Sequence, residues 1–486
     1  MYVALIATSV IVLLCIFLSK AFSRIGVPSL LVFLVLGMLM GSEGLATLVD
    51  GIEGIYFHNY DVAEMVASFA LIFIMFYGGL ATNWSTAKPV ALRAGLMSSL
   101  GTVITAFIIG GFCALVMGVP FLYGLLFGSV VSSTDAASVF SILRSRKLNL
   151  KNNLAPLLEI ESGSNDPFSY MMMVITIAAI TASESGGSIS HALFGAIALQ
   201  IFAAIGVAAL ISAFAMLIFS RSRFENTGFY PIFLTAVVLL GFATCSYVGG
   251  NGYLCVYITG IVVGNRNFAN KVNTVHFFDS ISHLMQILLF FMLGLLSFPS
   301  KLPGILGYGI ILSLLLIIIA RPVAVAAILS WFKTHPKQQL FVSWVGFRGA
   351  ASIAFAIMAI HALGDKIPYD LFHLVFFLAM FSVMVQGTLM PVAAKKLNLI
   401  DESDENSVMK TFTDYFEEVH THLKVHRIKP DDKLADKSVA DSAIPENLLI
   451  VMIKRGDEVI FPKGTTKILE NDILMVSGED FSFFDE

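Results

Sequence analysis

Charge is the scarcest commodity in this 486-residue chain: Asp, Glu, Lys and Arg together make up 13% of it, about half the share of an ordinary soluble domain. With 57% hydrophobic residues and a mean hydropathy of +0.83, water is excluded as its main solvent. A formal net charge of −4 supplies no basic excess for nucleic acid, and no such partner is expected. Cysteine is equally sparse. Cys15, Cys113, Cys245 and Cys255 all sit in apolar stretches without metal-ligand spacing, so they read as small core hydrophobes. No cleavable leader is evident, because Met1 runs almost directly into an apolar stretch lacking a small-residue cleavage pattern; the first segment is expected to be a retained span. A TVGYG-like string is missing, which argues against a carbonyl-lined channel filter. The chain is not expected to be an enzyme.

What is present is a series of apolar stretches. A hydrocarbon core takes about 20 helical residues to cross, and suitable stretches fall at 3–20, 28–46, 62–81, 91–117, 121–143, 157–182, 190–219, 228–248, 251–265, 280–298, 303–330, 338–362 and 369–393. That makes thirteen, although the tight joints at Gly118/Pro120 and Gly249/Gly250 leave twelve open. With thirteen spans, sixteen Lys and Arg flank one side, among them Lys88, Arg146 and Lys396, and only Lys301 and Lys366 the other. Basic residues collect on the cytoplasmic face, so the N-terminus is expected outside and the C-terminal segment in the cytoplasm of a cell (inner) membrane. An odd count also suits two inverted six-span repeats separated by a linker span, with broken helices crossing near the midplane. The fold expected is therefore an all-α polytopic membrane protein with a small α+β cytoplasmic domain.

The composition changes after Lys396. An acidic, then amphipathic stretch is followed by short β-branched runs, HLKVHRI, NLLIVMIKR, DEVIFP, TTKIL and DILMVSG, punctuated by Pro and Gly. The expected organisation is a transmembrane domain over 1–395, a linker or amphipathic helix over 396–421 and a soluble domain over 422–486. A domain of that size has a marginal core, so pairing with a second copy is expected.

Ionisable residues inside spans are costly, about 2.5–3.5 kcal/mol each at a helix centre, and need a reason. Asp135 lies in SSTDAASVF, where Ser132, Ser133 and Thr134 offer oxygens to a hard monovalent cation or to the carbonyls of a helix that unwinds there. A packed polar helix interior is the alternative. Glu159, Glu161 and Asp166 lie in LEIESGSNDPFSY. Glu161 and Asp166 point about 140° apart on a helix, while Ser162 and Asp166, four apart, face the same way and can grip one ion. A buried carboxylate that takes either a proton or a cation holds the minimal physics of exchange, and Pro167 frees a carbonyl in the same turn. Arg348, between Gly346 and Gly349 in VGFRGAAS, needs a carboxylate partner, for which Glu161 is the candidate. Arg321, before Pro322, is expected to snorkel to the cytoplasmic face. His283 and Gln286, three apart on one face of the tenth span, are candidate supporting residues.

With SSTDAASVFSILR, ESGSNDPFSYMMM and GFRGAASIA in this order, residues 1–395 resemble the bacterial NhaP-type monovalent cation:proton antiporters. The resemblance implies thirteen spans in two inverted repeats, an elevator-like transport domain and a homodimer. It also implies roles: Asp166 as the shared cation and proton site, Thr134 and Ser162 as cation ligands, Asp135 at the crossing of broken helices, and Glu161 paired with Arg348. Asn165 stands where electrogenic relatives place a first aspartate, which favours one cation for one proton. One departure is Tyr77 in FYGGL, where many relatives carry an acidic residue that helps hold the network around Asn165. The tail is similar to the TrkA-C (RCK-C) regulatory domain through PENLLIVMIKRGDEVIFPKGTTKILENDILMVSG, and no GxGxxG precedes it between 397 and 425. Similar domains dimerise, and some bind cyclic di-AMP between subunits. Antiporters with such a tail are often K⁺ exporters, which tilts the expectation to K⁺ over Na⁺. No cofactor is expected beyond the exchanged cation and proton, with membrane lipid as the surroundings. A ligand-gated channel and a sensor that has lost transport are the competing readings.

Overall fold

The computed structural model describes residues 2–23, 29–41, 43–44, 59–146, 148–184, 190–221, 224–401, 422–428, 432–442, 444–445, 448–455 and 458–478. They fall into two units, Met1–Phe412 and Thr413–Glu486, described in turn.

Among its described residues the first unit is built of helices, with one isolated bridge between Leu150 and Ile400. In chain order come α1 (Tyr2–Ser23), α2 (Ser29–Met40), α3 (Tyr60–Ala81), α4 (Ala91–Met117), α5 (Phe121–Val131), α6 (Ala136–Ser145), α7 (Leu154–Glu184), α8 (Ser190–Arg221), α9 (Phe229–Tyr247), α10 (Gly252–Gly264), α11 (Lys271–Leu296), α12 (Pro299–Leu329), α13 (Pro336–Trp344), α14 (Ala350–Leu363) and α15 (Leu371–Lys396). By length and composition, eight helices can cross a membrane, and five shorter apolar stretches lie in α1, α2, α5, α10 and α14. These thirteen among the described residues match the thirteen stretches read from sequence. Local chemistry sets the ends. Asn59 caps α3 by accepting from the Val62 N–H at 3.1 Å, and Asn251 caps α10 by accepting from Leu254 at 3.0 Å. Gly118, at φ +67°, closes α4 in the left-handed region that favours glycine.

Among the described residues, the fifth and twelfth spans break. The fifth is interrupted over 132–135 between α5 and α6, and the twelfth over 345–349 between α13 and α14. These spans are seven apart, as equivalent members of two six-span repeats around one linker span must be. Packing obeys the same exchange. α3 and α10, the third and ninth spans, meet where a Cβ on Gly79, Gly260 or Gly264 would come within 2.2–2.4 Å of the opposing backbone. Advancing each span by seven, or returning it by seven, gives the tenth and second, and α11 and α2 meet in the same way through Gly294 and Gly37, at 2.2 and 2.1 Å. Apolar solvent supplies no hydrophobic drive between helices, so close backbone approach through small residues holds such pairs. Three helices also contain wide π-type turns, at Met97–Gly101 and Cys113–Met117 in α4, Leu316–Ala320 in α12 and Ser382–Gly387 in α15. All four cysteines are buried and free.

The second unit is a four-stranded antiparallel sheet in the order β1-β4-β2-β3, from β1 (His422–Arg427), β2 (Leu448–Arg455), β3 (Glu458–Ile460) and β4 (Ile473–Gly478). β2 buries Leu448, Ile450 and Ile453 against Leu474 and Val476 of β4, with a bulge between Ile450 and Met452 that keeps the apolar face in register. The run TTKIL contributes only a single bridge, Ser438 to Lys467, rather than a strand. Residues 402–421, where an amphipathic helix is expected, lie outside the described residues.

Buried Asp472 fastens this sheet. It accepts from Arg455 Nε at 2.9 Å, from Arg455 Nη2 at 2.8 Å and from the Leu469 N–H at 2.9 Å. Burial pushes its carboxyl up, but these hydrogen bonds and the guanidinium charge outweigh that and hold it below the ordinary carboxylate value. A depressed acid adds stability above its unfolded pKa of about 4 and loses it as pH falls through the folded value. Asp472→Asn is therefore expected to weaken the unit by about 2–3 kcal/mol at neutral pH. Amide hydrogen exchange along β2 and β4 in the full-length protein would accelerate; unchanged protection would contradict this role.

Candidate functional site

The site forms where the two breaks cross. The Asp135 N–H donates to the Phe347 carbonyl at 2.9 Å, and Arg348 Nη1 donates to the Ser133 carbonyl at 2.6 Å, so each break binds the other. A Cβ on Gly349 would come within 2.4 Å of the Asp135 carboxylate, which is why that position has no side chain. Four half-helix ends converge here, with partial positive charge at the N-termini of α6 and α14 and partial negative charge at the C-termini of α5 and α13. Asp135 caps α6 by accepting from the Ser138 N–H at 3.3 Å, accepts from Ser138 Oγ at 2.6 Å, and lies beside the start of α14. Arg348 holds the Ser133 carbonyl, just beyond the C-terminus of α5. Each charge thus faces helix ends of opposite sign. The Arg348 N–H donates to Ser382 Oγ at 3.1 Å, and Ser382 in turn donates to Gln386 at 2.5 Å. Gln386 also bonds the Trp344 carbonyl at 2.7 Å, tying α13 to α15.

α7 passes this crossing with its polar string. Asp166, half-buried, accepts a short hydrogen bond from Ser133 Oγ. Thr134 Oγ1 and Ser162 Oγ share a hydrogen bond at 2.9 Å. The Asn165 amide donates to Thr134 Oγ1 at 2.5 Å and accepts from the Thr134 N–H at 3.3 Å. Asp166, Thr134, Ser162, Asn165 and Ser133 are thereby brought together, with Asp135 on the far side of the break. Among the described residues no Lys or Arg forms an ion pair with Asp166.

The expected Glu161–Arg348 pair is corrected. Glu161, 1% exposed, pairs instead with Arg321, at 2.7 Å from Nη1 to Oε1 and 2.8 Å from Nη2 to Oε2. Arg321 does not snorkel; it is 3% exposed. The reason lies in the helix before it. The wide turn Leu316–Ala320 admits an extra residue and so rotates the remainder of α12 by about 100° around the axis, turning Arg321 inward. Gly346 clears its path, since a Cβ there would approach Arg321 Nε to 2.7 Å. The two glycines flanking Arg348 therefore serve its neighbours, one giving room to Arg321 and the other to Asp135.

His283 is exposed on α11 and lies 3.5 Å from Asp279. Among the described residues no hydrogen bond joins His283 or Gln286 to the cluster. Tyr77 stands half-buried on α3. Sequence reasoning missed Ser382, Gln386 and Asn251, whose Nδ2 donates to the Pro167 carbonyl at 2.8 Å; Asn251 directly before an apolar run was the available signal, as a helix cap.

A multi-span helical protein whose paired broken helices hold a carboxylate and hydroxyls at their crossing is built as a secondary transporter. Comparison with known proteins agrees. Residues 9–396 match the sodium/hydrogen exchanger transmembrane family and residues 424–480 the TrkA-C domain. The chain is 34% identical over 461 residues, 93% of its length and 77% of the other's, to the K(+)/H(+) antiporter NhaP of Alkalimonas amylolytica. It is 32% identical to the K(+)/H(+) antiporter NhaP2 of Shewanella baltica, over 96% of this chain and 79% of that one. The Na(+)/H(+) antiporter NhaH of Halobacillus aidingensis is 27% identical over 62% of this chain and 75% of its own. The sodium proton antiporter MjNhaP1 of Methanocaldococcus jannaschii has the same fold, with a TM-score of 0.69 at 22% identity, over 82% of this chain and 99% of that one. The chain belongs to the sodium/hydrogen exchanger family.

Proposed function

We propose that this protein exchanges one monovalent cation for one proton, with K⁺ favoured over Na⁺. The carrying observation is the charge balance at the crossing. Glu161 is neutralised by Arg321, Asp135 and Arg348 each face helix ends of opposite sign, and Asp166 is left beside the hydroxyls of Ser133, Thr134 and Ser162. A single added positive charge, proton or alkali cation, completes Asp166, and the two exclude each other. Asn165 is neutral, so nothing at the site takes up a second charge and the exchange is electroneutral. The oxygen donors suit a hard cation. The names of the K(+)/H(+) relatives, which align over most of this chain, support K⁺.

In this reading residues 1–395 form the transporting domain of a homodimer in a cell inner membrane, and the crossing carries the ion by an elevator-like movement of α7 and the broken helices. The N-terminus lies outside. The segment 396–421 links it to a cytoplasmic regulatory domain at 422–486, for which cyclic di-AMP or another nucleotide is the ligand class. In proteoliposomes with an acid interior, external K⁺ is expected to dissipate the pH gradient, with Na⁺ and Li⁺ less effective. Clamping the membrane potential at zero should leave the rate unchanged. No dissipation by any of the three cations would contradict exchange, and a rate governed by the potential would contradict one-for-one stoichiometry.

A further inference from the structure

Tyr257 on α10 is buried, 3% exposed, and its hydroxyl meets no hydrogen-bond partner among the described residues. Its ring lies against α7 at Gly163, where a Cβ would come 3.2 Å from Cε2 and 3.3 Å from the hydroxyl oxygen. Gly163 is three residues before Asp166, so helical phase puts these two on neighbouring positions of one face, about 60° apart, with Ser162 at the edge of that face. The phenol lies near the hydroxyls of Thr82 and Ser164 and within electrostatic reach of Glu159 and Asp166. Both hydroxyls donate their own protons to helix carbonyls, Thr82 to Gly78 at 2.8 Å and Ser164 to Ile160 at 2.5 Å. Neither stands in hydrogen-bonding geometry with the phenol. Pro167 has no N–H, so the Gly163 carbonyl four residues back lacks its usual helical donor.

We propose that the Tyr257 hydroxyl is a specificity-determining contact of the cation held at Asp166, supplied from α10 while the other oxygens come from α7 and the break in the fifth span. The inference rests on the reading of Asp166 given above and deepens it. A buried hydroxyl with no partner is costly, and that cost is relieved when a cation arrives and the phenol turns a lone pair toward it. When the cation leaves, the same O–H is free to donate toward the carboxylate. The ring rests against Gly163, which sets how closely its oxygen approaches the site and makes the contact selective.

Tyr257→Phe removes the oxygen and keeps the ring. In reconstituted exchange it is expected to raise the KM for K⁺ about tenfold, the size of one hydrogen bond to a charged group. The maximal rate should stay within about twofold and the K⁺ to Na⁺ ratio should change. Unaltered KM and ratio would overturn the proposal. If Tyr257→Phe does not give folded protein, Gly163→Ala decides: its Cβ, 3.3 Å from the hydroxyl oxygen, pushes the phenol aside without removing it from the chain, and a raised KM supports the contact whereas an unchanged one overturns it. Asp166→Asn separates the two levels. If it is inactive while Tyr257→Phe is silent, only the Tyr257 contact fails; if it retains exchange, the site reading fails and takes this inference with it.

Discussion

Asp166→Asn is expected to abolish cation-driven proton movement, to the background rate of empty liposomes, while leaving yield and thermal stability close to those of the parent protein. The substitution preserves shape and replaces one oxygen by an amide nitrogen, so the Ser133 hydrogen bond can be kept by the remaining carbonyl oxygen. What it removes is the charge. Without a carboxylate there is nothing to hold a proton in one half of the cycle or to balance a cation in the other, and both half-reactions stop together. Ser162→Ala and Thr134→Ala delete neutral oxygens from the same cluster and should weaken apparent cation affinity without eliminating turnover. Equal loss in all three variants would mean that the cluster supports the fold instead of the ion.

The second large effect concerns stability. Removing one partner of a buried ion pair costs about 3–5 kcal/mol, because the other charge is left stranded, whereas removing both is often nearly neutral. Glu161→Gln or Arg321→Gln alone should therefore lower the yield of monodisperse protein and its melting temperature sharply, and the double variant should recover much of both. The coupling energy from this cycle should reach at least about 2 kcal/mol. The same cycle with Glu161 and Arg348 should give less, because Arg348 is anchored to the Ser133 carbonyl and through its backbone to Ser382. The reverse order of coupling would mean that Glu161 serves Arg348.

These two predictions mark what could be read from the chain and what could not. The breaks were legible because TDA and GFRG put polar, small and charged residues where a span should be uniformly apolar, and an unwound helix at a crossing satisfies them, although a packed polar helix interior was the alternative for the first. Asp166 and Ser162 were legible for a similar reason: a spacing of four holds wherever the helix continues, and α7 does continue through Pro167. Arg321 was not. Its partner depends on a wide turn in α12 that leaves no mark in the apolar run LIIIA, and a one-residue change of phase decides whether a side chain faces lipid or carboxylate. Without that turn, the other buried arginine is the natural partner for Glu161. In the tail the β-branched runs located all four strands, β1 to β4, but TTKIL has the same composition and forms only a bridge, because strand pairing depends on neighbours that composition does not specify. The phenol of Tyr257 lay hidden inside an apolar span, where tyrosine normally reads as core.

The most direct test of the shared site is to count protons released when a cation binds. Isothermal titration of the purified protein with K⁺, in buffers that differ only in ionisation enthalpy, reads that number without any transport step. If Asp166 is shared by the two ions, the wild-type protein releases close to one proton per cation wherever the carboxyl is protonated beforehand, and Asp166→Asn releases none. Cation binding with no proton release by the wild-type protein, or an undiminished release by Asp166→Asn, would contradict the competition on which the proposed exchange depends.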